Sequence, residues 1–370
     1  MSNYDKEVQQ IYIIGADFSI WMKLLGENKF DVSLKKIPNI FIITFLIILL
    51  SPLAIIEKIL VWRKIRSVKI ENPPIFILGH WRQGTTFLHD LFNCNPDFAV
   101  MTIFESVFPN HFLYSSNIIK KIFGLFLPET RPQDDYKINP DTPNEHDFAI
   151  ANLSSMSPYS GAYFPKNQFH YIRYATLEGL TEKQKNRVKK SFDYVIRKLT
   201  VKNKNKRLVL KSPVDTARVK FLLDLYPDAK FVHIARNPYE VYFSTLRMYQ
   251  KLVPLFQLQE GYPDLEEFVF LIFEGMYKIF FEEVKLIPKG NYINIKYENF
   301  VTQPLETMTE IYQELSLSGF DKTKPFIEKY LEDLKDYKPS SYTFPEKDIK
   351  RIYSRWHTII EIMGYETPKQ

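Results

Sequence analysis

No residue from Ile37 to Ile56 is charged, and Ile40–Leu50 reads IFIITFLIILL, a stretch comparable with the roughly 20 apolar residues that cross a bilayer. Pro38 and Pro52, followed by Glu57 and Lys58, shorten its uninterrupted part toward a buried or interfacial helix. Spanning a membrane, lying on its surface and packing into a domain all remain open. The pattern changes after the stiff break Asn72-Pro73-Pro74. Ile75–Leu78 is a short apolar run of the buried-strand kind, and after the turn Gly79–Thr86 the run FLHDLF has helical spacing. Arg207–Lys211 predicts a strand, Ser212-Pro213 opens a helix through Leu225, and Lys230–Ile234 predicts another strand. A helix begins near Pro238 and runs through Leu252, YINIKYENF reads as a later strand, and a further helix starts at Pro304. Between them, Phe98–Thr181 is less periodic and rich in Pro, Ser, Tyr and Phe, which suits loops and helices. Strands alternating with helices predict an α/β fold with a mainly parallel sheet. The expected division is an N-terminal helical segment, 1–72, and one catalytic domain, 73–370.

Composition changes this picture little. The 370 residues are 45% hydrophobic and 15% aromatic, enough for a sizeable core with no large disordered share. A net charge of +6 suits an anionic cofactor or a membrane surface, and no basic tract interleaved with aromatics argues for nucleic acid. The single cysteine, Cys94, excludes an intramolecular disulfide and a cysteine zinc cluster, which points to a reducing compartment, the cytoplasm. The segment before the apolar stretch carries acidic residues and no short basic region, unlike a signal peptide. Lys58, Arg63, Lys64, Arg66 and Lys69 follow the stretch, so insertion would leave the later domain at the cytoplasmic face of a membrane.

The chemistry concentrates in two places. Gly79–Thr86 lies between a predicted strand and a predicted helix, where backbone N–H groups and the positive helix end favour an anion. Thr85-Thr86 follows Gly84 where a nucleotide-triphosphate loop would carry lysine, which disfavours a nucleotide-dependent phosphotransferase. Arg82 instead offers a guanidinium fork inside the turn. The second place is HIARNPYEVYFST, where Arg236 ends a strand and Ser244 follows two helical turns later.

GHWRQGTTFLH and HIARNPYEVYFST, with LKSPVDTARVKFLLDLYPDAKF and IKYENFVTQP, resemble the 3′-phosphoadenosine 5′-phosphosulfate (PAPS)-dependent sulfotransferases, from about Pro73 to about Leu317. Within that family the chain looks closest to bacterial members related to tyrosylprotein sulfotransferases. The resemblance implies a P-loop-type three-layer fold with a central, mainly parallel sheet flanked by helices. It also implies sulfuryl transfer from PAPS to an acceptor hydroxyl, with PAP as product and no metal. Arg82, Gln83, Gly84, Thr85 and Thr86 would hold the phosphosulfate, and Arg236 with Ser244 the 3′-phosphate. Gln83 replaces the family's usual Ser or Thr and removes one hydroxyl partner.

For catalysis the resemblance implies Lys211, at a strand end, and Arg82 on the leaving group, and Glu105 as general base. Glu145 is the rival base. Thr142-Pro143-Asn144-Glu145 also reads as a helix start with a capping box, in which Glu145 has a structural task. Glu145 or His146 could line the acceptor pocket. His80 and His89 are expected to pack rather than react. A lipid, sterol or other hydrophobic alcohol is the expected acceptor, suggested by the aromatic segments 104–112 and 157–164; a sugar or peptide hydroxyl stays open. A non-catalytic anion-binding or membrane-scaffold module is the remaining class, and the sequence leaves the oligomeric state undetermined.

Overall fold

A computed structural model describes residues 11–134, 136–261, 264–334 and 344–368. These divide into two compact units, each discontinuous in sequence. One comprises residues 1–71, 101–205 and 248–265, the other 72–100, 206–247 and 266–370. Residues 1–71 thus share a unit with two later segments.

The second unit is built on five parallel strands, β1 (Ile75–Leu78), β2 (Phe98–Val100), β3 (Arg207–Lys211), β4 (Lys230–Ala235) and β5 (Tyr292–Lys296), in the order β2-β3-β1-β4-β5. Its central strand is buried at every position because helices cover both faces. Ile75 and Ile77 join Val209, Val232 and Ile234 on one face, against Leu88, Leu91 and Phe92 of the helix Thr85–Asn93 and Met308 and Ile311 of the helix Pro304–Glu314. Residues one position out of phase point the other way. Phe76 stacks on Phe231 with centroids 5.7 Å apart, and His233 packs on Tyr277 and Phe280 of the helix Leu265–Glu283. This is the expected three-layer α/β arrangement. After β1 the chain runs to the edge strand β2, returns to β3 beside β1 and then crosses to β4 on the other side, so the crevice for a ligand opens at the carboxyl end of β1. The register Ile77↔Lys211 and Leu78↔His233 brings the ends of all three strands there.

Two local expectations change. The predicted helix after Ser212 is a short 3-10 turn, Pro213–Ala217, followed by the helix Val219–Leu225. The three-residue edge strand β2 was not expected, being too short to show a period.

The first unit is helical. Its apolar stretch lies in one continuous helix, Ile37–Ser67, which contains both prolines. Pro38 lies in the first turn, where no N–H is needed, and Pro52 removes one ladder bond while Ile47 and Ala54 on either side stay buried. One stripe of this helix packs on the helices Phe18–Glu27 and Glu182–Lys202. Trp21 Nε1–H donates to Thr44 Oγ1 at 2.9 Å, and Lys58 pairs with Asp17 at 2.8 Å. Glu57, 1% exposed, pairs with the buried Lys198 at 2.7 Å and accepts from the backbone N–H groups of Leu113, Tyr114 and Ser115. Those bonds dock the start of the helix Ser116–Phe126.

Candidate active site

The turn after β1 has the geometry of an anion cradle. Gly84 has φ +90°, and a Cβ there would come within 2.4 Å of the Tyr297 ring, so glycine is required. It precedes the helix Thr85–Asn93, whose first N–H groups receive no capping side chain and face forward with the positive end of the helix. Gly79 N–H donates to Thr216 Oγ1 at 2.7 Å, tying the turn to the segment after β3. Arg82 itself has φ +69°, a left-handed conformation uncommon for a side-chain-bearing residue.

The two sequence motifs meet at this turn. Arg82 Nε–H donates to Ser244 Oγ at 3.0 Å, and Arg236 donates from Nη1 to the Arg82 carbonyl at 2.8 Å. Arg236 and Ser244 are 8% and 3% exposed. Asn237 accepts from Tyr239 N–H at 3.0 Å and so starts the helix Pro238–Phe256, which carries Ser244 back toward the turn. Lys211, buried at the end of β3, faces the same crevice by register. Three cations, two threonine hydroxyls, a serine and a free helix start are therefore gathered in one unit. Ser212 Oγ and Thr245 Oγ1 are buried there without hydrogen-bond partners. This donor set fits a molecule with phosphate-type groups at two points.

Three residues here escaped sequence reasoning. Glu240 forms an ion pair with Arg236, with Nη2 to Oε2 at 2.5 Å; its spacing of four on one helix could have revealed it. Tyr297 lies under the Arg236 guanidinium at 4.3 Å and behind Gly84, and Thr216 holds Gly79. Both lie within the motifs that carry the family resemblance, IKYENFVTQP and LKSPVDTARV, but their contacts with the turn come from distant segments and show no spacing signal. Gln83 turns inward. Its Oε1 accepts from His80 N–H and from Tyr277 O–H at 2.7 Å, so the oxygen serves the loop's own interior. Burial lowers the His80 ring to about 3, and it packs edge-on against Trp81 and Phe273. His89 lies in the helix after the turn and contacts the Val209 carbonyl.

Glu105, Glu145 and His146 belong to the first unit. Thr102 Oγ1 accepts from Glu105 N–H at 3.3 Å, and Glu105 Oε2 accepts from Thr102 N–H at 2.7 Å, a complete capping box for the helix Ile103–Val107. Its other oxygen pairs with Lys202. The box expected at Thr142–Glu145 is therefore at Thr102–Glu105, where T-I-F-E has the same spacing. The later helix starts only at Asp147, and Thr142 Oγ1 accepts from Asn139 N–H instead. Glu145 accepts from the Tyr159 hydroxyl. Burial first, then the Glu145 charge, raises the Tyr159 hydroxyl well above its ordinary range, and Tyr249 is raised by the same two causes. Burial also raises Tyr12 to about 12, with Arg131 opposing and Glu145 adding to the rise. Phe148 stacks on Tyr159 at 4.2 Å and packs on Tyr12 at 4.9 Å. His146 is buried and meets Phe192 edge-on at 5.2 Å.

The model of the sulfotransferase family matches residues 73–322. The omega-hydroxy-beta-dihydromenaquinone-9 sulfotransferase Stf3 of Mycobacterium bovis is 30% identical over 354 residues, covering 95% of this chain and 91% of that protein. The Mycobacterium tuberculosis protein of the same name matches equally. Among solved structures, sulfotransferase STF1 from Mycobacterium tuberculosis has a TM-score of 0.66 at 16% identity, covering 93% of this chain and 94% of that one. Sulfotransferase STF9 from Mycobacterium avium has a TM-score of 0.67 at 14% identity, covering 85% and 83%. At such identities these two speak for the fold alone. The family model and the full-length relative go further: the chain belongs to the sulfotransferase family and is an enzyme that transfers a sulfuryl group from PAPS to an acceptor hydroxyl.

Proposed function

We propose that the acceptor is a hydrophobic alcohol, a lipid-like molecule whose hydroxyl receives the sulfuryl group. The observation that carries this reading is the full-length likeness to a protein named as the sulfotransferase of omega-hydroxy-beta-dihydromenaquinone-9. That likeness leaves about one twentieth of the chain outside, so it takes in most of the helices before residue 73, which the family model does not reach. The aromatic rings near Glu145 add support, since a pocket for an amphipathic alcohol needs apolar walls and a few polar groups. The single cysteine supports a cytoplasmic location.

In this reading Thr85, Thr86 and the N–H groups of Gln83 and Gly84 hold the phosphosulfate end, while Arg236 and Ser244 hold the 3′-phosphate. Bound PAPS supplies the sulfuryl group and a phosphate leaving group. Lys211 and Arg82 neutralise charge that grows on the departing phosphate oxygen. The acceptor oxygen forms its bond to sulfur as the sulfur–phosphate oxygen bond breaks, and the acceptor proton passes to a carboxylate. Between the two candidates, the local bonding favours Glu145. Glu105 is 1% exposed, with one oxygen in a helix cap and the other paired with an ammonium group, so both of its oxygens are already engaged in structural contacts.

The test is transfer from labelled PAPS to a panel of long-chain, prenyl and sterol alcohols, sugars and tyrosine peptides. Lipid alcohols are expected to be labelled; transfer only to sugars or peptides would refute the reading. Glu145→Gln should lower kcat by about 10²- to 10⁴-fold with the protein still folded. An unaffected Glu145→Gln beside an inactive, folded Glu105→Gln would reverse the assignment.

A further inference from the structure

The helix Ile37–Ser67 is apolar on more sides than it buries. Ile43, Ile47, Ala54, Val61 and Ile65 form its packed stripe, yet Phe41, Phe45, Leu49, Ile59 and Trp62 are between 57% and 71% exposed. The neighbouring helix Ser116–Phe126 repeats the arrangement: Ile119 and Phe123 face inward, while Ile118, Ile122, Leu125 and Phe126 face outward at one-turn spacing. Glu57 ties the two helices together through the N–H groups of Leu113, Tyr114 and Ser115. Contiguous bare apolar side chains on two linked helices mark an interaction surface.

We propose that these two helices form a monotopic membrane platform, with the helix Ile37–Ser67 lying in the plane of a leaflet that carries anionic headgroups. The packed stripe excludes spanning. It runs from Ile43 to Ile65, ~33 Å at 1.5 Å per residue, about the full thickness of the hydrocarbon core. Crossing the bilayer would carry its partner helix Glu182–Lys202 inside as well, and that helix exposes Lys183, Lys185, Arg187, Lys189 and Lys190. Charge selects the headgroups. Arg63, Lys64, Arg66 and Lys69 are exposed at one end of the long helix, and Lys121 is exposed on the shorter one. The only acidic residue between Ile37 and Ile70 is Glu57, buried against Lys198. Aromatic rings sit at the basic end, as at membrane interfaces: Arg66 lies over Trp62 at 4.7 Å, and Lys64 donates to the Tyr114 hydroxyl at 2.9 Å. The proposal stands on this surface and is independent of the acceptor's identity.

Full-length protein is to be sedimented with vesicles of equal parts phosphatidylglycerol and phosphatidylcholine, and with phosphatidylcholine alone. Binding to the anionic vesicles is expected, with Phe45→Glu, Ile59→Glu and Ile122→Glu each weakening it by about tenfold or more. A PAP-induced rise in melting temperature confirms that each variant is folded and leaves donor binding as a separate readout. In a Cys94→Ser background, Lys35→Cys and Arg66→Cys should both react with an impermeant maleimide added outside the vesicles. Protection of one of them would mean spanning and overturn the in-plane placement. A dimer in lipid-free solution that the same three variants convert to monomer, with no vesicle binding, would show a second copy on this face and overturn the membrane assignment. Vesicle binding without sulfation of lipid alcohols would count against the proposed acceptor alone.

Discussion

Replacing Arg236 by alanine probes the anion site at its most connected side chain. The guanidinium donates to the Arg82 carbonyl at 2.8 Å, pairs with Glu240 and lies over Tyr297. A charged hydrogen bond to phosphate contributes about 1.5–3 kcal/mol, or roughly 10- to 150-fold in Kd for PAP. Glu240 already holds the guanidinium in the free protein, so binding exchanges one partner for another, and the lower half of that range is expected. Alanine also leaves the Arg82 carbonyl without this donor, lowering folding stability by about 1–3 kcal/mol. Arg236→Lys, which keeps the charge but loses the planar fork, serves as a second variant and should fall between the two. Calorimetric titration with PAP, and in parallel with adenosine 5′-phosphosulfate, separates the phosphates because the second ligand lacks the 3′ group. Both variants should weaken PAP while leaving adenosine 5′-phosphosulfate within about twofold. Equal losses for the two ligands, or none for either, would refute the assignment of Arg236 to the 3′-phosphate.

Lys211→Ala should lower kcat by about 10²- to 10³-fold while changing the Kd of PAP by less than about tenfold, measured by steady-state turnover beside direct titration. Glu57→Gln leaves the buried Lys198 ammonium without its counter-charge and should destabilise the chain by about 3–5 kcal/mol in urea unfolding. Burial lowers His80 to about 3 and His111 and His233 to about 4, from an ordinary 6.5. The unfolded chain therefore binds these protons first. Stability is full above about pH 6.5 and falls toward about pH 4, by up to about 1.4 kcal/mol per pH unit for each histidine. A urea midpoint that did not move between about pH 7 and 5 would contradict this.

The sheet was legible because buried parallel strands leave continuous apolar runs: Ile75–Leu78, Arg207–Lys211 and Lys230–Ile234 are each within a residue of the observed strand. Phe98–Val100 was not, since three residues show no period. Turn chemistry marked the candidate anion site, with Gly84 at a positive φ, and Arg236 and Ser244, eight residues apart in sequence, both meet Arg82 there. Contacts between distant segments were invisible, as with Tyr297 behind Gly84 and the inward turn of Gln83 onto Tyr277. The capping box shows a different failure. Thr142–Glu145 and Thr102–Glu105 have the same spacing, and only the later start of the helix at Asp147 separates them. That Pro52 lies inside a continuous helix was not legible, because it interrupts the hydrogen-bond ladder but not the packing on either side of it.

The Glu57 anchor also has a temporal side. Its backbone donors at Leu113–Ser115 are made about 56 residues after it, and Lys198 is 141 residues downstream. At the usual ~5–20 residues per second of synthesis, the long helix waits roughly 7 to 28 s for its ammonium partner. During that interval the apolar segment exists without the helices that will cover its inner stripe. The inner stripe of the long helix is thus made well before its cover, and the Glu57–Lys198 pair can close only after the later helix has been synthesised.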